Sequence, residues 1–367
     1  MALDITPAVL AYVPPDPPLE QFEPARDRAF FADPTKASLL SQASSIEALT
    51  PYIGTELKGV QVSQLTDAQK DELALLVAER GVVFFRDQDI TLEQQHALAA
   101  HYGKQDRDPS QQDPRHVTIL GHDFNIRAKD RNVAAYHGDH SFEVNPPSYT
   151  LLRMLRTPET GGDTIFTSQV ALFDKLSPTF QKAFEGFFGI HSSEKYYLNS
   201  INGGGKPRRA PIITEHPLVR THPVTHLKSL NYNPLFVTGV KGLNDRESFH
   251  TLNFLYDHLH SADDLTVRWK WTPDSIAFWD NRVVVHRAVP GGYEPSSREG
   301  KRTAIFGERP FFDPSISESW SERKERLKKE KLSIESNSEY AVKTNGHLEN
   351  GTRLDEPELN FSKLNVV

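Results

Sequence analysis

Apolar residues in this chain come in short bursts separated by turns, not in long periodic runs. Val82-Val83-Phe84-Phe85, Val117-Thr118-Ile119-Leu120, the stretch around Tyr149-Thr150-Leu151-Leu152, Ile276-Ala277-Phe278-Trp279 and Val283-Val284-Val285 are the clearest. Bursts of this length bounded by Gly, Pro, Asn or Asp read as buried β-strands. Further strands are predicted over 54–62 (as a pair), 165–167, 227–232, 265–271 and 303–306. Helical spacing is confined to fewer places. A helix over 66–79 is capped by Thr66 and ends near Gly81, and a second over 91–102 carries Leu98 and Tyr102 on one face and stops at Gly103. Helical period also appears over 172–187, after a break at Ser177-Pro178, and over 249–261. With many strands, few helices and no glycine-fingerprint βαβ unit, the pattern predicts a mainly β fold with flanking helices, a sandwich or barrel.

The polar stretches set the boundaries. Residues 1–50 include Pro14-Pro15-Asp16-Pro17-Pro18 and read as an extended arm, 51–313 as the folded domain, and 314–367 as a charged helix over 318–331 followed by a polar tail. Residues 104–133 are loop-like apart from the strand at 117–120. The glycine run Gly203-Gly204-Gly205 lacks the strand, helix and Lys-Ser/Thr of a phosphate loop, so 192–212 reads as a surface loop.

Composition narrows the chemistry. Hydrophobic residues at 37% and charged residues at 25% describe an ordinary globular protein with no run long enough to span a bilayer. The first residues lack the basic and apolar regions of a secretory signal, so a cytoplasmic location is expected. The absence of cysteine removes disulfides, thiolate metal sites and cysteine nucleophiles together, leaving nitrogen and oxygen as the only metal donors. A net charge of −7 argues against a broad nucleic-acid footprint and for a small-molecule partner. Oligomeric state leaves no mark in the pattern; a homo-oligomer stays open.

The stretch Tyr136-His137-Gly138-Asp139-His140-Ser141-Phe142-Glu143 places an imidazole and a carboxylate two residues apart. On a strand, residues i and i+2 share a face, so His137 and Asp139 can grip one metal ion. Fifteen histidines make one such triple on the order of a chance event, so the spacing alone carries little. A third donor, His286, stands 149 residues on, behind Trp279-Asp280-Asn281-Arg282. Two imidazoles and a carboxylate on one side of a metal form the facial triad of non-heme Fe(II) oxygenases.

Context supplies the rest. The strand after the metal stretch, the turn Gly161-Gly162-Asp163-Thr164, the distal Trp279-Asp280-Asn281-Arg282 with His286, and the pair Arg298 and Arg302 together resemble the taurine/α-ketoglutarate dioxygenase (TauD-like) family over about residues 52–313. The resemblance implies a double-stranded β-helix (jelly roll) with Fe(II) on His137, Asp139 and His286. It also implies O2 and 2-oxoglutarate as co-substrates, the latter decarboxylated to succinate while an unactivated C–H of a small substrate is oxidised. An arginine fork matches a carboxylate where lysine does not. The family pattern assigns the far carboxylate of 2-oxoglutarate to Arg298 with Thr164, and gives Arg302 the substrate's acid group; either arginine remains open as the 2-oxoglutarate clamp.

Two departures from the family bear on the substrate. Tyr136 stands where tryptophan is common and would serve as a flat wall of the pocket. Aspartates stand within 102–109, where a sulfonate-binding histidine falls in the family, and an acidic group repels a sulfonate. With Arg302 as cation, Asp108 as anion and Val133 lining an apolar subsite, an amino acid is favoured over taurine. The alternatives are a sulfonate, sulfate or aryloxy-acid dioxygenase, a catalytically silent metal-binding jelly roll, and a zinc hydrolase, for which no general base is evident.

Overall fold

A computed structural model describes residues 16–17, 19–107, 113–121, 135–202 and 209–345. Its largest sheet has seven strands in the order β1 (Ser45–Ala48), β2 (Thr55–Lys58), β3 (Val82–Phe85), β13 (Ile276–Asp280), β5 (Pro147–Arg156), β15 (Glu299–Phe306) and β4 (Val117–Leu120). Only β2 and β3 pair in parallel. A three-stranded sheet follows the order β12 (Thr266–Trp269), β6 (Thr164–Ser168), β14 (Val284–Ala288). A second takes the order β11 (Val237–Val240), β7 (Phe188–Ser192), β8 (Ile213–Pro217), and β9 (Val219–Thr221) with β10 (Lys228–Leu230) completes the set. The fold is mainly β with flanking helices.

Strand alternation divides the large sheet into two apolar faces. Val83, Phe85, Tyr149, Leu151, Ile276 and Phe278 point outward, into a cluster with Leu73, Leu76 and Val77 of the helix Asp67–Arg80 and Leu98 and Ala99 of the helix Leu92–Tyr102. Val82, Phe84, Leu152, Met154, Ala277 and Trp279 point the other way, against Phe166, Val267, Trp269 and Val284 of the small sheet. Phe84 stacks on Trp269 with ring centroids 4.0 Å apart and meets Phe166 edge-on at 5.5 Å. Fully burying one such side chain contributes about 1.5–3 kcal/mol, so a one-residue register slip, which would swap the two faces, is strongly disfavoured.

Both helices on the outer face form where their signals stand. Thr66 and Gln69 make a reciprocal capping box, as do Thr91 and Gln94, and Gly81 ends the first helix at φ +73. Elsewhere the structure departs from the pattern. The strand pair over 54–62 is a single strand, β2, followed by a 3-10 turn at Val62–Gln64. The loop over 192–212 begins instead as the helix Glu194–Asn202, and its glycine run lies outside the described residues. The charged C-terminal helix runs further, Trp320–Asn345. No helix among the described residues is long and apolar enough to cross a membrane.

The described part of the segment before residue 51 is docked on the domain. Asp27 accepts from the Tyr149 hydroxyl at 3.0 Å and from Arg282 at 2.7 Å, Arg28 forks onto Asp71 at 2.6 and 2.7 Å, and β1 forms one edge of the large sheet.

Candidate active site

His137 does not sit in a regular strand. It forms an isolated antiparallel bridge with His286 of β14, each backbone N–H donating to the other's carbonyl at 2.9 Å, and the chain then turns at once through 139–142. The bridge alone brings two residues 149 positions apart into register. Asp139 follows with its carboxylate between the imidazoles: Oδ1 lies 3.9 Å from His137 Nε2 and 3.9 Å from His286 Nε2. One donor atom from each of the three residues falls within 4.8 Å of the others, a set that can hold one metal ion.

The surroundings fix the protonation and aim of these donors. His137 Nδ1 donates to the Ala135 carbonyl at 3.0 Å, which leaves Nε2 with its lone pair toward the centre. Burial pushes both imidazoles below their ordinary value, His286 to about 3, so both are neutral ligands. Burial alone would raise the Asp139 carboxyl, but the Arg302 guanidinium together with His286, His137 and His140 outweighs it and holds the carboxyl well below the usual range. Arg302 Nη1 donates to Asp139 Oδ1, Thr150 Oγ1 donates to Oδ2 at 2.8 Å, and Asn281 Oδ1 accepts from the Asp139 backbone N–H at 3.1 Å. Asn281 in turn donates to Thr150 Oγ1 at 2.9 Å and accepts from Trp279 Nε1 at 3.0 Å. Thr150 and Asn281 position Asp139, yet neither belongs to a metal-ligand motif that would single it out in the sequence.

The aromatic wall also differs from expectation. Tyr136 turns away from the triad into another apolar cluster, under Arg287 at 5.0 Å and edge-on to His260 at 5.2 Å. Phe236, 6.3 Å from His137, Trp279, 4.8 Å from His286, and Phe166, 5.9 Å from His286, take its place. Asp108 and Val133 lie outside the described residues.

Arg298 reaches the turn Gly161-Gly162-Asp163, which leads into β6 at Thr164. Arg298 is 1% exposed, its Nε donates to the Gly162 carbonyl at 2.9 Å, and its Nη1 is buried without a partner. Gly162 is required there twice, since its φ is +69 and a Cβ would lie 3.1 Å from Arg298 Cδ. Thr164 Oγ1 accepts from Trp271 Nε1 at 2.9 Å, which leaves its own hydroxyl proton available. A buried guanidinium with an unpaired N–H costs several kcal/mol unless an anion completes it, so a carboxylate such as the far end of 2-oxoglutarate fits here.

Of the aspartates expected to repel a sulfonate, Asp106 does not face the pocket freely. His140, at φ +42, turns out of line with Asp139 and pairs with Asp106, Nδ1 to Oδ2 at 2.8 Å. Burial opposes both charges, yet each partner holds the other ionised, so His140 is raised and Asp106 lowered. The net local charge of the pair is therefore close to zero.

A family model described as taurine catabolism dioxygenase TauD, TfdA family, matches residues 45–304. An alpha-ketoglutarate-dependent sulfonate dioxygenase of Saccharomyces cerevisiae is 38% identical over 323 residues, 82% of this chain and 78% of the relative. The alpha-ketoglutarate-dependent dioxygenase cnsP of Penicillium expansum is 36% identical over 320 residues, 82% of this chain and 86% of that one. Among solved structures, a taurine dioxygenase from Burkholderia xenovorans superposes with a TM-score of 0.63 at 30% identity, covering 74% of this chain and 93% of its own. With such matches over a cluster of potential metal ligands and a buried arginine with an unpaired N–H, the chain belongs to the TauD/TfdA family and is an Fe(II)- and 2-oxoglutarate-dependent dioxygenase.

Proposed function

We propose that His137, Asp139 and His286 hold the Fe(II), that Arg298 with Thr164 holds the far carboxylate of 2-oxoglutarate, and that Arg302 orients the acid group of a small sulfonate or sulfate ester. The observation that carries the cofactor assignment is the contrast between the two arginines. Arg298 is buried with Nη1 unpaired, while Arg302 already donates to the metal-ligand carboxylate. The first is suited to clamp a carboxylate, and the second sits where a group bound beside the metal would meet it. The bound iron and 2-oxoglutarate supply oxygen activation coupled to decarboxylation. The chain's own residues bind, orient and exclude water, with Phe236, Trp279 and Phe166 forming a dry wall around the imidazoles. The two facing sheets are best understood as the halves of a double-stranded β-helix with the triad between them, and the folded domain as ending near residue 313.

An anionic substrate is supported by Arg302, whose Nε is buried and unpaired beside the Nη1 bound to Asp139. A sulfonate is supported by the name of the yeast relative and by the neutralisation of Asp106 by His140, which removes that aspartate's share of the repulsion anticipated from the sequence. The amino acid preference has lost its footing. Asp108, its ammonium partner, is outside the described residues, and the neighbouring Asp106 is already taken.

Oxygen-dependent release of succinate in the presence of Fe(II) tests both parts. Alkyl sulfonates or sulfate esters are expected to stimulate turnover and aliphatic amino acids to leave it at the uncoupled rate. Stimulation by amino acids alone would overturn the substrate class and leave the iron and 2-oxoglutarate sites standing.

A further inference from the structure

We propose that His96, Asp113 and His116 form a second divalent-cation site, an N2O donor set suited to zinc, on the outer, helix-covered face of the large sheet. It is separate from the catalytic triad and does not depend on the substrate assignment.

Register places it there. Arg302 of β15 pairs with Val117 and Lys301 pairs with Thr118 of β4. Arg302 points inward to Asp139, whereas Lys301 points outward and donates to Thr118 Oγ1 at 3.0 Å. His116, two residues before Thr118, continues on the outward side by the alternation of extended chain. The helix Leu92–Tyr102 covers that side, anchored through Gln95 Nε2 to the Lys301 carbonyl at 3.0 Å and to Thr303 Oγ1 at 3.1 Å. His96, the next residue, meets His116. The two candidate metal sites thus stand on opposite faces of the β15–β4 pair.

The geometry is that of converging ligands. The imidazoles are stacked with centroids 5.3 Å apart, and His96 Nε2 faces His116 Nδ1 at 3.2 Å. Asp113 Oδ2 lies 3.9 Å from His116 Nδ1, and one donor atom of each residue falls within 4.8 Å of the others. Nitrogens bound at about 2.0–2.1 Å to a tetrahedral ion stand roughly 3.4 Å apart, so the rings need to separate by only a few tenths of an ångström. His96 is 3% and His116 8% exposed, and burial lowers both below their ordinary value, which leaves neutral imidazoles, the ligand form.

Charge around the cluster both helps and limits. Asp113 is gripped by Arg115, with Nη2 to Oδ2 at 2.7 Å and Nε to Oδ1 at 3.0 Å, and Arg115 also reaches Glu93 at 2.7 Å. The two carboxylates offset the guanidinium, and Lys301 adds a further positive charge near His116. A cation therefore requires Asp113 to give up one oxygen while Arg115 keeps the other and Glu93. Imidazole with carboxylate suits zinc better than magnesium or calcium, which prefer all-oxygen shells. Bound there, it would tie the helix to the edge strand next to Arg302.

Zinc titration of the full chain, followed by calorimetry and metal analysis, tests this against a background in which the catalytic site is disabled. His137→Ala is expected to bind one equivalent of zinc, and that equivalent should disappear when His116→Gln or His96→Gln is added. Cobalt(II) in the His137→Ala protein should give the visible absorption of a four-coordinate ion with nitrogen ligands, lost in the same double variants. If a histidine variant does not fold, Asp113→Asn in the His137→Ala background serves instead, with zinc binding expected at least tenfold weaker. No zinc bound by His137→Ala, or an equivalent that survives both histidine substitutions, overturns the proposal.

Discussion

Asp139 is held by Arg302, Thr150 and Asn281, and this makes its supports testable one at a time. Thr150 is wholly buried and donates to the carboxylate oxygen that does not face the imidazoles. Thr150→Val keeps the shape and removes that donor together with the acceptor of Asn281 Nδ2, so Fe(II) affinity is expected to fall about 10- to 100-fold, as for other groups that orient a ligand. Fe(II) titration followed through 2-oxoglutarate turnover measures it, and an unchanged affinity would show that Arg302 and Asn281 suffice. Arg298 offers a different readout. Arg298→Lys cannot reproduce the fork, and losing one charge-assisted hydrogen bond costs about 1.5–3 kcal/mol, or roughly ten- to a hundred-fold in affinity for 2-oxoglutarate. If KM for 2-oxoglutarate moves with Arg302→Lys and not with Arg298→Lys, the two arginines have been assigned in the wrong order.

At the scale of elements, what was legible depended on how locally the signal was written. The two helices over the outer face were readable because a capping box and a terminal glycine lie within a few residues of each other. The strands β3 and β13 were readable because they are buried and almost continuously apolar, and β4 and β5 because a short apolar run stands out in each, although β4 is only half-buried and β5 carries Ser148, Thr150 and Arg153. By contrast, β7, β8 and β11 mix exposed, glycine and polar positions, as in Phe188-Gly189-Ile190-His191-Ser192, and depend on pairing with one another. In the site, the three residues of the candidate metal cluster were legible as residue types, but Thr150 and Asn281 were not, since only the fold brings them to Asp139. One buried group at the end of β13 has a pH consequence. Burial would raise the Asp280 carboxyl, but Arg282 and then His222 hold it below its ordinary value, with contacts at 2.6 and 3.0 Å. A carboxyl depressed in the folded state stabilises the fold above its unfolded value, about 3.9, and that contribution is lost as pH falls through the folded value. The melting temperature should therefore decline below about pH 4 with a component that Asp280→Asn lacks. At neutral pH the same substitution should destabilise by about 3–5 kcal/mol, because it leaves Arg282 under-neutralised.

Across the whole molecule, the same buried charges connect the N-terminal segment to the catalytic centre. Arg282 is bound by Asp280 from its own turn and by Asp27 from a segment 255 positions away, and it lies 4.7 Å over the Tyr149 ring. Tyr149 and Thr150 are neighbours on β5 that face opposite sides of the sheet, one toward Asp27 and the other toward Asp139. Asn281, between Asp280 and Arg282 in sequence, accepts the Asp139 N–H. The N-terminal segment thus closes the outer side of the frame whose inner side aims the metal ligand. Asp27→Ala removes the acceptor of the Tyr149 hydroxyl and one anion of Arg282 while leaving Asp280 and the Glu308 contact at 3.5 Å. Breaking a buried pair with partial compensation should cost about 3 kcal/mol, visible as a drop of several degrees in the melting temperature. The triad itself keeps its bridge between His137 and His286 and its bond from Thr150, so Fe(II) affinity and KM for 2-oxoglutarate measured well below the melting point should stay at the wild-type value. A loss of Fe(II) affinity in Asp27→Ala without a fall in melting temperature would show instead that the segment acts on the centre directly.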